Sequence, residues 1–177
     1  MKRALALGVL LTGLAGPLLA DGWTMLPFKE PGWSPQFTLS INYGPMDPDI
    51  RGVGTDNAIG AQLSLDCPWF SPPTGTIRQQ FNFNSFDNDG LKIQTLEMNP
   101  HWYVGEGNLR FGVGPGVGYV RGKPEVGDDD SVWGFQLNAD IEYRHGALFA
   151  GVGTRYQYTE GGKADNLLTQ VKLGINF

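Results

Sequence analysis

The chain has 177 residues, of which 13 are basic and 18 acidic, and a formal net charge of −5. This length suits one domain, and an acidic chain without a basic cluster is not expected to bind nucleic acid. The single cysteine, Cys67, excludes an intramolecular disulfide. Glycine contributes 26 residues, and charged residues make up only 18% of the chain. These proportions fit a β-barrel.

The N-terminus has the layout of a secretory signal peptide. Two basic residues follow the initiating methionine, an apolar run occupies residues 4–11, and small residues continue up to Ala20. The apolar run is too short to span a bilayer. We therefore predict a signal peptide at residues 1–20, with a cut after Ala15 as the alternative.

Residues 21–35 follow the leader and show no periodicity. Trp23 and Trp33 lie among several prolines in this stretch. Because tryptophan is enriched at the headgroup level of membranes, we predict a periplasmic or interfacial lead-in.

From residue 36 to the end of the chain, apolar and polar residues alternate in eight segments. A period of two is typical of a β-strand whose two faces meet different surroundings, and turn-forming residues separate the segments. The predicted strands are residues 36–44, 57–66, 76–86, 91–103, 109–120, 132–144, 147–158 and 166–177. The fourth segment changes phase between Ile93 and Leu96. We predict a β-bulge near Thr95, which would keep both apolar sets on one face.

The last segment has apolar residues at alternate positions and ends on an aromatic residue. This C-terminal pattern resembles the signal that presents the closing strand of a bacterial outer-membrane barrel to the barrel-assembly machinery. The residues that carry it are Val171, Leu173, Ile175 and Phe177.

The leader, the eight alternating strands and the terminal phenylalanine together resemble the small outer-membrane barrel families. These include the transmembrane domain of outer-membrane protein A, outer-membrane protein W and the opacity proteins. The resemblance covers residues 36–177, including the strand phrases 96–103 and 111–119. It implies an all-β fold: an eight-stranded, antiparallel, up-and-down transmembrane β-barrel, closed because lipid tolerates no open sheet edge.

The resemblance also implies partners and a location. We expect an outer-membrane monomer with both termini in the periplasm, surrounded by outer-membrane lipid and lipopolysaccharide. During biogenesis, the barrel-assembly machinery and periplasmic chaperones are the expected partners.

Alternation alone is also compatible with a soluble calycin-type barrel, whose apolar face points inward around a ligand. We favour the membrane barrel because aromatic residues of the apolar face gather near the strand ends, as in the two girdles of membrane barrels. The predicted outer girdle contains Tyr43, Tyr119, Trp133, Tyr156 and Tyr158, and the predicted periplasmic girdle contains Phe37, Trp102, Tyr143 and Phe177.

The polar face carries charges of both signs and is predicted to line the lumen. An eight-stranded barrel is just wide enough for side chains to fill it, and buried charges need partners. The predicted charge network contains Arg78, Arg110, Arg144, Arg155, Lys172, Asp66, Asp140 and Glu142, and Glu97 joins it if the bulge is present. Two interpretations of this network are possible. It is either a self-paired polar plug or a gated ion path whose ion pairs exchange partners.

We predict no catalytic, cofactor or metal site. The lipid A deacylases resemble this fold but carry a His-x-Ser motif, which neither His101 nor His145 matches. Both histidines are predicted to be periplasmic rim residues. The acidic run at residues 127–130 lacks the spacing of a calcium loop.

The function favoured by the sequence is that of a non-enzymatic integral outer-membrane protein, serving envelope integrity or surface interaction. A narrow channel for small or hydrophobic solutes, similar to outer-membrane protein W, is the alternative. A lipid A-modifying enzyme is the third and least favoured hypothesis.

Overall fold

The computed structural model describes residues 22–177, so the predicted signal peptide at 1–20 lies outside the described residues. Ten strands follow one another along this described part of the chain. They are β1 (Thr24–Met25), β2 (Phe37–Pro48), β3 (Asp56–Asp66), β4 (Phe70–Ser71), β5 (Thr76–Asn88), β6 (Leu91–Val104), β7 (Leu109–Pro124), β8 (Asp130–His145), β9 (Leu148–Thr159) and β10 (Asn166–Asn176). No helix within the described part of the chain is long and apolar enough to cross a membrane.

The eight long strands form one closed antiparallel barrel. Each strand pairs with its neighbours along the chain, and β10 closes the sheet against β2, from Asn166 opposite Pro48 to Asn176 opposite Thr38. The predicted fold class, an eight-stranded up-and-down barrel, is confirmed. The short strands β1 and β4 pair with each other outside the barrel.

The two faces of each long strand are sharply different. On β2, Leu39 and Ile41 are exposed on the outside of the barrel, whereas Ser40 and Asn42 between them are buried in the lumen. Because successive side chains point to opposite faces of a strand, the pairing register determines which residues face the lumen and which face outward. We call the end of the barrel that holds Phe37 and the C-terminus the terminal end, and the opposite end the loop end.

The predicted bulge near Thr95 is wrong. β5 and β6 pair without interruption from Thr76 opposite Tyr103 to Asn88 opposite Leu91. Ile93 therefore points into the lumen, whereas Leu96 points outward.

Ile93 belongs to an apolar layer that fills the lumen at the loop end. We call this layer the apolar cap. It consists of Met46, Ala58, Phe86, Ile93, Val120, Ala164 and Leu168. Ile50, Val53, Leu91 and Val132 are partly buried against it. The phase change in β6 thus marks the point where the lumen changes from polar to apolar, and no extra residue is inserted.

Pro100 lies within β6, which continues beyond it to Val104. The register that pairs Met98 with Val117 and Trp102 with Val113 places it opposite Pro115 of β7. Proline has no backbone N–H to donate to the ladder. The pairing between β6 and β7 is interrupted around the two facing prolines and continues on both sides, at Met98 opposite Val117 and at Trp102 opposite Val113.

Candidate functional site: the lumen

Asp140 of β8 is the centre of a buried polar cluster in the middle of the lumen. Its Oδ1 lies 2.8 Å from Nζ of Lys172 on β10. Its Oδ2 accepts hydrogen bonds from the Tyr103 hydroxyl at 2.9 Å and from Nε2 of Gln80 at 3.1 Å. Nδ1 of His101 is 2.8 Å from the same oxygen. Four polar groups from three other strands thus surround one buried carboxylate.

Tyr103 connects this cluster to a second carboxylate. Its hydroxyl is 2.9 Å from Oδ2 of Asp140 and 2.7 Å from Oε1 of Glu142. One hydroxyl proton serves one acceptor at a time. The two carboxylates and Tyr103 therefore form a coupled unit in which the position of one proton affects both acids.

Two arginines occupy the lumen near the terminal end. Arg144 places Nη2 at 2.8 Å from Oε2 of Glu142, and Arg78 places Nη1 at 2.6 Å from Oδ1 of Asp66. Both arginines also donate to the hydroxyl of Thr38, at 2.8 Å from Arg144 and 3.2 Å from Arg78. The two ion pairs are thus joined through one small side chain of β2.

A third ion pair, between Glu97 and Arg155, lies towards the loop end. Both side chains are buried. Oε1 of Glu97 also accepts from the Thr95 hydroxyl at 2.6 Å and from Nδ2 of Asn84 at 3.0 Å. Nη2 of Arg155 donates to Oδ1 of Asn166 at 2.5 Å. Glu97 faces inward although β6 has no bulge, so it belongs to the network without the condition that was attached to it.

The alternating glycines of β7 make room for the side chains of β6. A Cβ on Gly112 would collide with the ring of Tyr103, and one on Gly114 would collide with the ring of His101. Glycine therefore allows the large polar side chains of β6 to lie flat against the neighbouring strand. Alternating glycines could also widen the lumen or make room for arginines, but the space beside Gly112 and Gly114 is taken by Tyr103 and His101.

Arg110 stands apart from the network predicted for it. It is half-buried at the terminal mouth, where it lines an open depression of about 400 Å³ together with Gln36 and Asn108. Its Cα partner across the sheet is Glu142, but Glu142 is engaged by Arg144 and Tyr103. Within residues 22–177, Arg110 makes no ion pair. The other seven residues of the predicted network all do.

Two residues of the cluster were not predicted to have this role. His101 was expected at the rim but is buried beside Asp140, whereas His145 is exposed at the terminal end. Tyr103 was not singled out at all. Both lie at the inward parity of Glu97 on β6, and that parity was the signal available in the sequence.

Above the Glu97–Arg155 pair, the apolar cap closes the lumen towards the loop end. Below the cap, a cavity of about 20 Å³ lies between the Glu97 and Asp140 layers, with Gln170 and Lys172 among its lining residues. A space of this size holds about one water molecule. The polar lumen is therefore filled by its own side chains along most of its length.

The outside of the barrel carries apolar side chains and two groups of aromatic residues. At the loop end, the rings of Tyr119 and Trp133 meet edge to face with centroids 5.4 Å apart. At the terminal end, Phe37 and Phe177 stack at 5.8 Å. The remaining exposed aromatic residues of these groups are Tyr43, Tyr156 and Tyr158 at the loop end and Trp102 and Tyr143 at the terminal end.

Exposed ion pairs lie among the loops. Arg121 and Asp129 are 2.6 Å apart and about half exposed, and Nζ of Lys163 is 2.9 Å from Oδ2 of Asp130. The hydrogen bond from Lys163 to this carboxylate raises the pKa of the Lys163 ammonium above its ordinary value. No cluster of three or more metal-ligating side chains occurs in the described region.

A closed eight-stranded barrel with an apolar outside, aromatic residues near both ends and a polar, charge-paired lumen has the architecture of the small outer-membrane β-barrels. No protein-family model matches the sequence, and no curated protein sequence matches it. Solved structures do match. The N-terminal barrel domain of OprF from Pseudomonas aeruginosa superimposes with a TM-score of 0.54 at 12% identity, over 81% of this chain and 97% of that one.

Two further solved structures show the same fold. Ail, the attachment invasion locus protein of Yersinia pestis, gives a TM-score of 0.54 at 14% identity, over 82% of this chain and 100% of its own. Neisserial surface protein A gives a TM-score of 0.52 at 11% identity, over 80% and 94%. At such low identities these likenesses establish the small outer-membrane barrel fold and carry no residue roles.

Proposed function

We propose that this chain is an integral outer-membrane protein, without enzymatic activity, whose lumen conducts no solute. It contributes to envelope integrity or to surface interaction through its loop end. The apolar cap above a self-paired polar lumen is the observation that carries this proposal. Both termini would then lie in the periplasm, with the loop end at the cell surface.

The outer face of the barrel supports membrane residence. Leu137, in the middle of β8, is 70% exposed, and its neighbours on the same face are Phe135 and Ala139. Soluble monomers rarely expose apolar patches larger than a few hundred Å². A continuous apolar belt around the whole barrel calls for lipid, and the soluble calycin-type alternative would need the opposite facing.

The contents of the lumen support the absence of conduction. The pairs Glu97–Arg155 and Asp140–Lys172 connect the inward faces of four different strands, and Glu142 pairs with Arg144 along β8. A gated ion path would require these pairs to exchange partners and would also require a polar exit at the loop end. The apolar cap occupies that exit, so opening a pathway means displacing Phe86 and Leu168 as well.

The charge of the loop end bears on which surface partners are suitable. Exposed acidic residues there are Asp47, Asp49, Asp56, Asp87, Asp89, Glu125, Asp128, Asp129, Asp130 and Glu160, against the basic residues Arg51, Lys92, Arg121, Lys123 and Lys163. A surface with excess negative charge favours cationic partners. Ail has been solved in complex with the heparin analogue sucrose octasulfate. We do not extend such polyanion binding to this chain, because its loop end repels it.

Planar-bilayer recording of the refolded, reconstituted protein tests the proposal. Folding is verified first by heat-modifiable migration on gels, so that a silent bilayer is not mistaken for failed insertion. We expect no openings above the baseline of protein-free bilayers. Steady and reproducible openings would contradict the sealed lumen and favour the narrow-channel alternative.

A further inference from the structure

A small sheet outside the barrel joins two segments that are distant in sequence. β1 and β4 pair so that Met25 lies opposite Phe70, and the N–H of Leu26 donates to the carbonyl of Trp69 at 2.8 Å. The lead-in is therefore folded against the turn between β3 and β5. We call residues 22–30 and 67–75 together the foot.

The foot exposes an unusual amount of apolar surface for its size. Met25, Phe28, Trp69 and Phe70 are between 43% and 58% exposed. Met25 and Phe70 are directly paired across the strands, so they share one face of the sheet. A two-stranded sheet buries little of its own surface. These side chains gain little from the fold itself and remain available to an external partner.

The foot lies against the outer wall of the barrel. The indole N–H of Trp102 donates to the carbonyl of Thr74 at 3.0 Å. Trp102 points outward from β6 at the terminal end and is itself 45% exposed. The turn is thus attached to the outer wall of the barrel at Trp102.

The lead-in reaches the same side of the barrel. A Cβ on Gly22 would lie 2.9 Å from Cβ of Pro73, so these two segments are in close contact. Lys29 carries its ammonium 5.9 Å from the ring centroid of Phe28. Aromatic side chains with an adjacent cation are typical of segments that lie in the membrane interface.

We propose that the foot is a lipid-docking surface that inserts its apolar side chains into the interfacial region of the periplasmic leaflet. Its occupant is phospholipid, because the foot continues the lipid-facing wall of the barrel beyond the aromatic residues of the terminal end. The inference rests on the proposed membrane residence of the barrel. It assigns residues 22–30 and 67–75 an anchoring role in addition to that of a periplasmic connection.

Spin-label accessibility in vesicles of phosphatidylethanolamine and phosphatidylglycerol tests the foot. Met25→Cys and Phe70→Cys are each labelled with a nitroxide, and collision rates with oxygen and with a water-soluble nickel complex are compared. Cys67 is buried, so the unsubstituted chain serves as the labelling blank. Two matched controls are Leu137→Cys in the belt and Glu106→Cys in an exposed turn at the same end.

We expect the oxygen-to-nickel collision ratio at both foot positions to be several-fold higher than at position 106 and close to that at position 137. If the ratios at both foot positions equal that at position 106 while position 137 still faces lipid, the lipid-docking role of the foot is contradicted. The membrane residence of the barrel is then still supported. An aqueous ratio at position 137 would instead contradict membrane residence, and the foot with it.

Discussion

Replacing Glu97 by glutamine tests whether the lumen network is held together by buried charge pairs. The substitution preserves the shape of the side chain and removes only its charge. Arg155, which is 5% exposed, would retain Asn166 and Gln136 as hydrogen-bond acceptors. It would lose the anion that compensates its charge, and its Nε already has no partner within residues 22–177.

The magnitude follows from the burial of both partners. Removing one member of a buried ion pair leaves an uncompensated charge and costs about 3–5 kcal/mol. The new amide group would also face Nδ2 of Asn99 and Nε2 of Gln136, which both donate to Glu97. We therefore expect Glu97→Gln to lower the free energy of unfolding by about 3–5 kcal/mol.

Urea unfolding of the protein in lipid vesicles, followed by tryptophan fluorescence, measures this loss. Asp129→Asn is the matched control, because Asp129 forms an ion pair with Arg121 in which both side chains are about half exposed. Exposed pairs contribute only about 0–1 kcal/mol. Adding Arg155→Met to Glu97→Gln should recover most of the loss, since the double substitution leaves no buried charge at this pair. A loss for Glu97→Gln no larger than that for Asp129→Asn would refute the reasoning.

Three further outcomes follow from the same geometry. Phe86→Ala combined with Leu168→Ala removes two large side chains of the apolar cap. This double variant should lower the free energy of unfolding by at least about 3 kcal/mol and produce openings in planar bilayers. A stable variant without openings would show that the cap does not seal the lumen. Arg110→Gln should leave the free energy of unfolding within about 0.5 kcal/mol of the parent in urea titrations, because Arg110 is half-buried and makes no ion pair with any of residues 22–177. A loss above about 2 kcal/mol would reveal a partner. Phe177→Ala should slow insertion by purified barrel-assembly machinery more than Phe37→Ala, which removes the other ring of the same stacked pair; equal rates for the two would count against an assembly signal.

The strands were predictable because the information that defines them is local. Alternation identifies a strand from its own residues, and all eight long strands occur close to the predicted positions. Several strands extend further towards the loop end than predicted, whereas β6 and β10 begin there at the predicted residues. β7, for instance, continues to Pro124 and pairs there with Leu91. Backbone pairing with a neighbouring strand extends a strand past the point where its own sequence stops alternating.

The inward facing of the lumen charges was predictable, but two of their four ion pairs, Glu97–Arg155 and Asp140–Lys172, join strands that are not neighbours. Inward parity brought seven of the eight predicted charges into ion pairs, and it failed for Arg110. The partner of Arg155 is Glu97, on a strand that is not its neighbour in the sheet. Which charges meet across a closed barrel depends on its stagger as well as on the strand sequences. Alternation within single strands does not define the stagger.

The apolar cap was missed because one assumption was applied along the whole lumen, namely that inward residues are polar. Ile93 contradicted it, and a bulge was predicted so that Ile93 could face outward. Phe86 contradicts it in the same way at the loop end of β5, the strand that pairs with β6, where it lies directly opposite Ile93. Two phase changes facing each other across a strand pair require two coordinated bulges, whereas one change in lumen polarity explains both. Apolar residues that take the inward parity at the same end of adjacent strands therefore indicate a sealed lumen, and this signal was present in the sequence.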